Sequence, residues 1–274
     1  MDKSPTKNLI FEYIMVTTLK KYLFLILGLK NYLKLLHKGF MFSYSAGFLK
    51  SDYIYKYHYF VKNIVEEGDY VVDLGANLGY FSKIFSGLVK SSGKVICIEP
   101  VVPFFKTLEW AMQGKGNVVL HNKALGTENK MVTMSLPIEK NNLRPGLAHI
   151  SNTTEKAEQE IVFEVEMVKG SELLSTLPKI DFIKCDIEGY EEFVFPEIKS
   201  ILEKYQPIVQ IETWDRHKIV IFNLMKDLNF VPYLVLEQKL VAYSGEDKEF
   251  GDYLFIPKTK EASFIEKMKR KNCL

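Results

Sequence analysis

The block KCDIEGYE, residues 184–191, concentrates the groups most able to do chemistry. It reads as a strand running into a helix, with Gly189 freeing the backbone for the turn between them. Lys184, Asp186 and Glu188 then stand at the carboxyl edge, where an open α/β sheet presents its ligands. The i, i+2 spacing of Asp186 and Glu188 turns both toward one face of a strand end. Either carboxylate can take a proton from a hydroxyl, contact an acceptor or hold a metal. The plainer alternatives are contact with a bound ligand's amino-acid arm for Asp186 and a helix-capping or dipole role for Glu188. Cys185 points the other way and reads as buried filler.

A second constellation lies in VVDLGANLGYFS, residues 71–82, where an apolar run ends on Asp73 and turns through Gly75, Asn77 and Gly79. Such a turn lets a backbone approach a ligand closely at a helix N-terminus. The glycines are separated by three residues, unlike the G-x-G-x-x-G that admits a dinucleotide pyrophosphate, and Asp73 would repel a phosphate. The next strand, KVICIEP, ends on Glu99, 26 residues after Asp73. A carboxylate there can accept both hydroxyls of a ribose. Together the two acids ask for a nucleoside with a cationic tail, and S-adenosylmethionine has both features.

Two histidines compete for a base role. His149, in RPGLAHIS, belongs to a loop expected to overhang the site, and its ordinary titration near neutrality suits proton removal. His121 follows the third strand and reads as a structural edge residue. Glu212 and Trp214, in IETW, end the fifth strand facing the same cleft, where packing and capping are equally ordinary roles.

These residues need a scaffold that brings strand ends to one edge. Apolar runs at 70–74, 94–98, 117–120, 180–185 and 207–212 are short and nearly continuous, as strands buried on both faces should be. Helical patterns near 79–90, 102–113, 190–204 and 216–228 lie between them. The alternation implies crossover connections and a doubly wound, mainly parallel sheet. FVPYLVL at 230–236 and DYLFIP at 252–257 form a plausible closing antiparallel pair. Residues 126–170 break the alternation and read as two strands and a loop inserted at the mouth of the sheet.

At 274 residues the chain can bury a full core, and its net charge of +2 gives no argument for nucleic-acid binding. The charge is unevenly placed: residues 1–62 hold 10 lysines and 3 acids, and the remainder holds 26 basic and 31 acidic residues. Lys20, Lys30, Lys34 and Lys38 fall on one arc of a helix, with Leu25, Ile26, Leu29, Tyr32, Leu33 and Leu36 opposite. Residues 1–62 therefore read as a basic amphipathic extension, which either packs as a cap or touches an anionic membrane surface through residues 14–38. The tyrosine-rich run YIYKYHYF at 53–60 reads as a half-buried helix or a substrate mouth. The catalytic domain is expected over 63–258, with a basic tail at 259–274. Cys97, Cys185 and Cys273 lack disulfide or zinc spacing, so a reduced, cytoplasmic chain is expected, possessing no metal site.

VVDLGANLGYFS, VICIEP, NKALG at 122–126 and above all DFIKCDIEGYEEFVF at 181–195 resemble the FkbM family of S-adenosylmethionine-dependent methyltransferases over about residues 58–257. The resemblance implies a seven-stranded Rossmann-like methyltransferase sheet with an antiparallel last strand, preceded here by the helical extension. It implies that Asp73, Gly75, Asn77, Gly79 and Glu99 hold the cofactor, with Glu188, Asp186 and His149 the catalytic candidates. Gly170 and Ser171 replace the Leu-Asp pair usual in the family. The acceptor implied is a hydroxyl on a sugar, glycan or natural product. Competing readings are a non-catalytic, membrane-associated nucleotide-binding module and a nicotinamide-dependent dehydrogenase. The intact motifs disfavour the first, and the missing dinucleotide fingerprint and Asp73 disfavour the second.

Overall fold

In a computed structural model of the chain, residues 7–139, 142–143, 149–150, 160–213, 215–245 and 251–274 are described. Helix α1 (Lys7–Ala46), a 3-10 turn (Tyr53–Tyr55) and α2 (Lys56–Ile64) precede β1 (Tyr70–Leu74). Then follow α3 (Tyr80–Val89), β2 (Lys94–Ile98), α4 (Val102–Ala111) and β3 (Val118–His121). The inserted region gives β4 (Ala124–Gly126), β5 (Lys130–Glu139), β6 (Asn142–Leu143), β7 (His149–Ile150), β8 (Glu160–Lys169) and α5 (Gly170–Leu174). The chain continues through β9 (Phe182–Cys185), α6 (Glu191–Glu197), α7 (Lys199–Tyr205), β10 (Ile208–Glu212) and α8 (Asp215–Asp227). It closes with β11 (Phe230–Leu236), β12 (Lys239–Ala242), β13 (Asp252–Pro257) and α9 (Lys258–Arg270).

The main sheet has the order β12-β11-β13-β10-β9-β1-β2-β3. The strands from β10 to β3 are mutually parallel, and β13 runs antiparallel to both β10 and β11. The expected antiparallel last strand is present, but the sheet has eight strands where seven were expected. The extra strand, β12, folds back on β11 through the two-residue loop Glu237–Gln238, both residues with positive φ. Period-2 alternation sorts the strand residues between two cores. Val71, Val95 and Phe182 join α2, α3 and α9 on one face; Val72, Ile96 and Ile183 join α5 to α8 on the other.

The inserted strands build a second sheet, β4-β8-β5-β6, in which β5 and β8 pair antiparallel from Lys130↔Met167 to Pro137↔Glu160. Its inner face shares a third core with α1, Leu78, Val101 and Phe104. The single helix expected over 190–204 is two, because Pro196 lies inside α6 and the chain breaks at Ile198. The segment expected as a basic tail is helix α9, seated by Phe264 and Met268 at i, i+4 spacing. At the other end, α2 lies within the main core through Tyr57, Phe60, Val61 and Ile64, inside the stretch read as an extension.

Helix α1 departs from a single amphipathic rod. Gly28 takes φ 67°, ψ 165°, which interrupts the helix and resets its phase. Tyr32 and Leu33 beyond the kink are buried as expected, but Leu25 and Ile26 before it are exposed.

Candidate active site

A row of polar groups crosses the carboxyl half of the main sheet. Strand register places Asp73 beside Cys97 on one side and Lys184 on the other, and Lys184 beside Gln210. Asp73 is fully buried; its Oδ2 accepts from Ser82 Oγ at 2.6 Å and its Oδ1 lies 3.9 Å from Lys184 Nζ. Lys184 Nζ also reaches Asp186 Oδ2 and the Gly75 carbonyl, each at 3.3 Å, and lies over the Phe81 ring. Burial works against the Lys184 charge, but the carboxylates of Asp186 and Asp73 outweigh it and hold the ammonium protonated. Burial pushes the Asp73 carboxyl up against the pull of Lys184 and Ser82.

Above this row the glycine turn closes on the strand ends. Gly75 has φ 72°, and a Cβ there would stand 1.8 Å from the Asp186 carbonyl oxygen, so only glycine allows the two loops to meet. Asn77, at φ 49°, directs its N–H to Glu99 Oε2 at 2.7 Å, and the Val101 N–H reaches Glu99 Oε1 at 2.8 Å. Glu99 is thereby aimed by backbone donors. Burial nevertheless pushes its carboxyl up to about 7.

Gly75, Asn77, Glu99, Phe104, Asp186 and Glu188 line a cavity of about 70 Å³. It adjoins one of about 560 Å³ beneath the inserted sheet, where Met134, Met167, Tyr190, Phe193 and His217 stand. Gly75, Ile187 and Glu188 border both. Asp73 and Gly79 line neither. Asp73 neutralises Lys184 from below, and Gly79 caps α3 where a Cβ would press within 2.8 Å of Leu108 Cδ1.

The three acids of D-x-E-G-x-E separate by partner. Asp186 is drawn to Lys184, and Glu191 is buried with Oε1 accepting from the Ile187 N–H at 3.0 Å, which fastens the turn. Glu188 makes no hydrogen bond or ion pair among the described residues. The strand ends at Cys185, so Glu188 reaches the cavity through a left-handed turn, φ 55°, and not through the pleat expected from i, i+2 spacing. Although solvent reaches it, crowding by the surrounding protein and by the Asp186 and Glu191 carboxylates pushes it up to about 7. At the end of β10, burial and the neighbouring Asp186 and Asp252 push Glu212 up to about 8.

His217 and Glu192 were not singled out in the sequence, where they are an isolated helix histidine and one glutamate of several. The fold sets His217 Nδ1 2.9 Å from Glu192 Oε1, an ion-pair distance out of line for a hydrogen bond, on the wall of the larger cavity. Of His149, only the backbone is described: β7 pairs it with Ser135 of β5. Its side chain and all of Trp214 lie outside the described residues. Gly170 and Ser171 line neither cavity; a Cβ on Gly170 would come within 2.6 Å of Ile198 Cγ2, and the Ser171 N–H donates to Glu197 Oε2. The two residues dock α5 on the α6–α7 break. Among the described residues no cluster of histidine, cysteine and acidic side chains is arranged to hold a metal.

The Methyltransferase FkbM domain matches residues 73–252. The chain belongs to the FkbM methyltransferase family. The domain spans every residue of the polar row, the glycine turn and the D-x-E-G-x-E block. Among solved structures, Methyltransferase FkbM from Methylobacillus flagellatus KT is 15% identical, with a TM-score of 0.45 over 70% of this chain and 43% of its own. SMU.1697c of Streptococcus mutans, in complex with SAH, is 14% identical, with a TM-score of 0.44 over 74% of this chain and 96% of its own. These likenesses are distant, and the family assignment rests on the domain match. No curated protein matches the chain in sequence.

S-adenosylmethionine is the cofactor that comes with the FkbM assignment, and the donor set suits it. Glu99 keeps acceptor capacity beyond its two backbone bonds for ribose hydroxyls, and Asp186 supplies negative charge for a sulfonium or an ammonium. A phosphate-bearing dinucleotide would meet three carboxylates on the same wall.

Proposed function

We propose that this chain is an S-adenosylmethionine-dependent O-methyltransferase whose acceptor is a hydroxyl of a sugar, glycan or natural product, with Glu188 as the base. The observation that carries this reading is the position of Glu188: bordering both cavities, free of partners among the described residues, and pushed up to about 7. A carboxylate with that affinity for protons can take one from a hydroxyl at neutral pH. Bound S-adenosylmethionine supplies an electrophilic methyl group on sulfur, which keeps the bonding electron pair when the methyl leaves. Glu99, Asn77 and the Gly75 turn hold and orient the nucleoside end. Asp186, 3.3 Å from Lys184 Nζ, stands at the boundary between cofactor and acceptor. The apolar wall of Met134, Met167 and Phe193 keeps water from the reacting atoms. Residues 63–258 form the catalytic domain in this reading, with the 126–170 insertion shaping the acceptor side. The protein works in a reduced, cytoplasmic setting with a peripheral contact at the inner membrane surface through residues 14–38.

Calorimetry tests the cofactor: heat with S-adenosylmethionine and its demethylated product is expected, and heat only with a nicotinamide dinucleotide would reverse the assignment. Glu188→Gln should lower turnover by roughly 10²–10⁴-fold with cofactor affinity nearly intact. A large loss in His149→Ala with little in Glu188→Gln would move the base into the insertion. Loss of cofactor binding in Asp186→Asn would place that residue wholly on the cofactor side.

A further inference from the structure

The part of α1 before Gly28 is apolar on both sides. Leu23, Phe24 and Leu27 pack against the core shared with the inserted sheet. Leu19, Tyr22, Leu25 and Ile26 face outward and are 58%, 59%, 56% and 77% exposed. Lys20 and Lys21 interrupt the segment, and exposed apolar side chains gathered in this way mark a contact surface.

The surrounding charge has one sign. Between residues 13 and 51 the sequence holds six lysines and no acidic residue. Directly after the kink a groove of about 660 Å³ opens between α1 and α4, lined by Leu29, Lys30, Leu33, Lys34, Lys106 and Trp110. Lys34 Nζ and Lys38 Nζ lie 4.8 and 5.5 Å from the Trp110 ring centre. One acidic side chain, Glu109, lines the groove, and it pairs with Lys106 at 3.3 Å. Among the described residues Lys30, Lys34 and Lys38 have no ion pair. Lysines gathered on an aromatic floor, beside an uncovered apolar helix, call for a partner that is anionic and greasy together.

We propose that this surface docks on an anionic bilayer, with the outer face of α1 entering the interfacial region and the α1–α4 groove receiving the phosphate headgroup of an anionic lipid. The proposal rests on the peripheral membrane contact in the proposed function and adds the face, the groove and the lipid chemistry. A second copy of the chain is the competing occupant. A two-fold contact through this face would bring lysine against lysine, whereas anionic lipid supplies the opposite charge and the apolar phase at once. No helix among the described residues is long and apolar enough to cross a membrane, so the contact is with its surface.

The test is sedimentation of the full chain with vesicles of phosphatidylcholine alone or mixed with phosphatidylglycerol, with inorganic phosphate as competitor. Binding to the mixed vesicles, falling with salt, is expected, with little binding to phosphatidylcholine alone. The triple variant K30Q/K34Q/K106Q should weaken it about a hundredfold, and Ile26→Asp tenfold or more. All three lysines and Ile26 are outside the cofactor machinery, so calorimetry with S-adenosylmethionine and thermal melting should be unchanged in both variants. Failure of the methyltransferase reading would show in that calorimetry and leave the vesicle result standing. The docking proposal is overturned by equal binding to neutral vesicles, by no binding to either, or by no response to the triple variant. Phosphate binding without vesicle binding overturns it too, as does a lipid-free dimer that Ile26→Asp dissociates.

Discussion

The two banks of the cleft keep their carboxylates in different company. Under the glycine turn, Asp73 and Asp186 share one cation, Lys184, at 3.9 and 3.3 Å, and Ser82 Oγ fixes Asp73 at 2.6 Å. Farther along the strand ends, burial and neighbouring carboxylates push Glu188 and Glu212 up to about 7 and about 8 against the pull of Lys184. The acids beside Lys184 set shape. Crowded acids keep a proton within reach of neutrality, which is what acid–base chemistry needs. In the proposed mechanism this difference separates supporting residues from reacting ones.

The comparison breaks most visibly at Lys184. Lys184→Met leaves Asp73 buried without its cation, and a loss of about 3–5 kcal/mol in denaturant unfolding is expected. A loss under 1 kcal/mol would mean that the row is not a charge lattice. Glu99→Ala, on the same bank, should spare folding more than binding. Removing hydrogen bonds to a charged acceptor predicts about 1.5–3 kcal/mol weaker cofactor affinity by calorimetry, and an unchanged affinity would place the ribose elsewhere.

The smallest expected effect is on the pH dependence of stability. Glu99, Glu188 and Glu212 titrate in the folded chain at about 7, 7 and 8, above their ordinary 4.5. Between those values the folded chain holds protons that the unfolded chain releases, so this stabilisation is present at low pH and lost as pH rises from about 5 to 8. Glu66 and Glu261, lowered by Lys267 and Lys258, act below this window in the opposite sense. His58, lowered by burial to about 3, opposes this up to about pH 6.5, so the melting temperature of the cofactor-free chain should fall between about pH 6.5 and 8, and Glu212→Gln should flatten that slope. A slope unchanged by the variant would remove Glu212 from the account.

The alternating scaffold was legible because doubly buried strands such as KVICI and FIKC leave continuous apolar runs, and the structure places them within a residue or two of expectation. Strand β12 was not, because its hairpin turns on Glu237 and Gln238, which lack the Asn-Gly signature of a left-handed two-residue loop. The broken helix over 190–204 did leave a signal, Pro196, inside the periodic run. The α1 arc was misread before the kink because a helical wheel assumes unbroken phase, and Gly28 breaks it. At the site, Gly75, Asn77, Glu99, Asp186 and Glu188 were readable from the motifs and meet at one pair of cavities. Asp73 and Gly79 belong to the same motif and stand beneath and behind it, one beside Lys184 and the other at the start of α3. Pairs such as His217 with Glu192 exist only once α6 and α8 are packed together.

One contact ties the lysine-rich helix to the cofactor turn. His37 is buried in α1, and its Nδ1 donates to the Leu78 carbonyl at 2.8 Å; a carbonyl only accepts, so that nitrogen carries the hydrogen. Leu78 follows Asn77, whose N–H aims Glu99. Were the chain to dock on a bilayer as proposed, lipid and cofactor would act on adjoining links of one chain of bonds, and reciprocity would bind their affinities: whatever factor the bilayer imposed on S-adenosylmethionine binding, the cofactor would impose on bilayer binding.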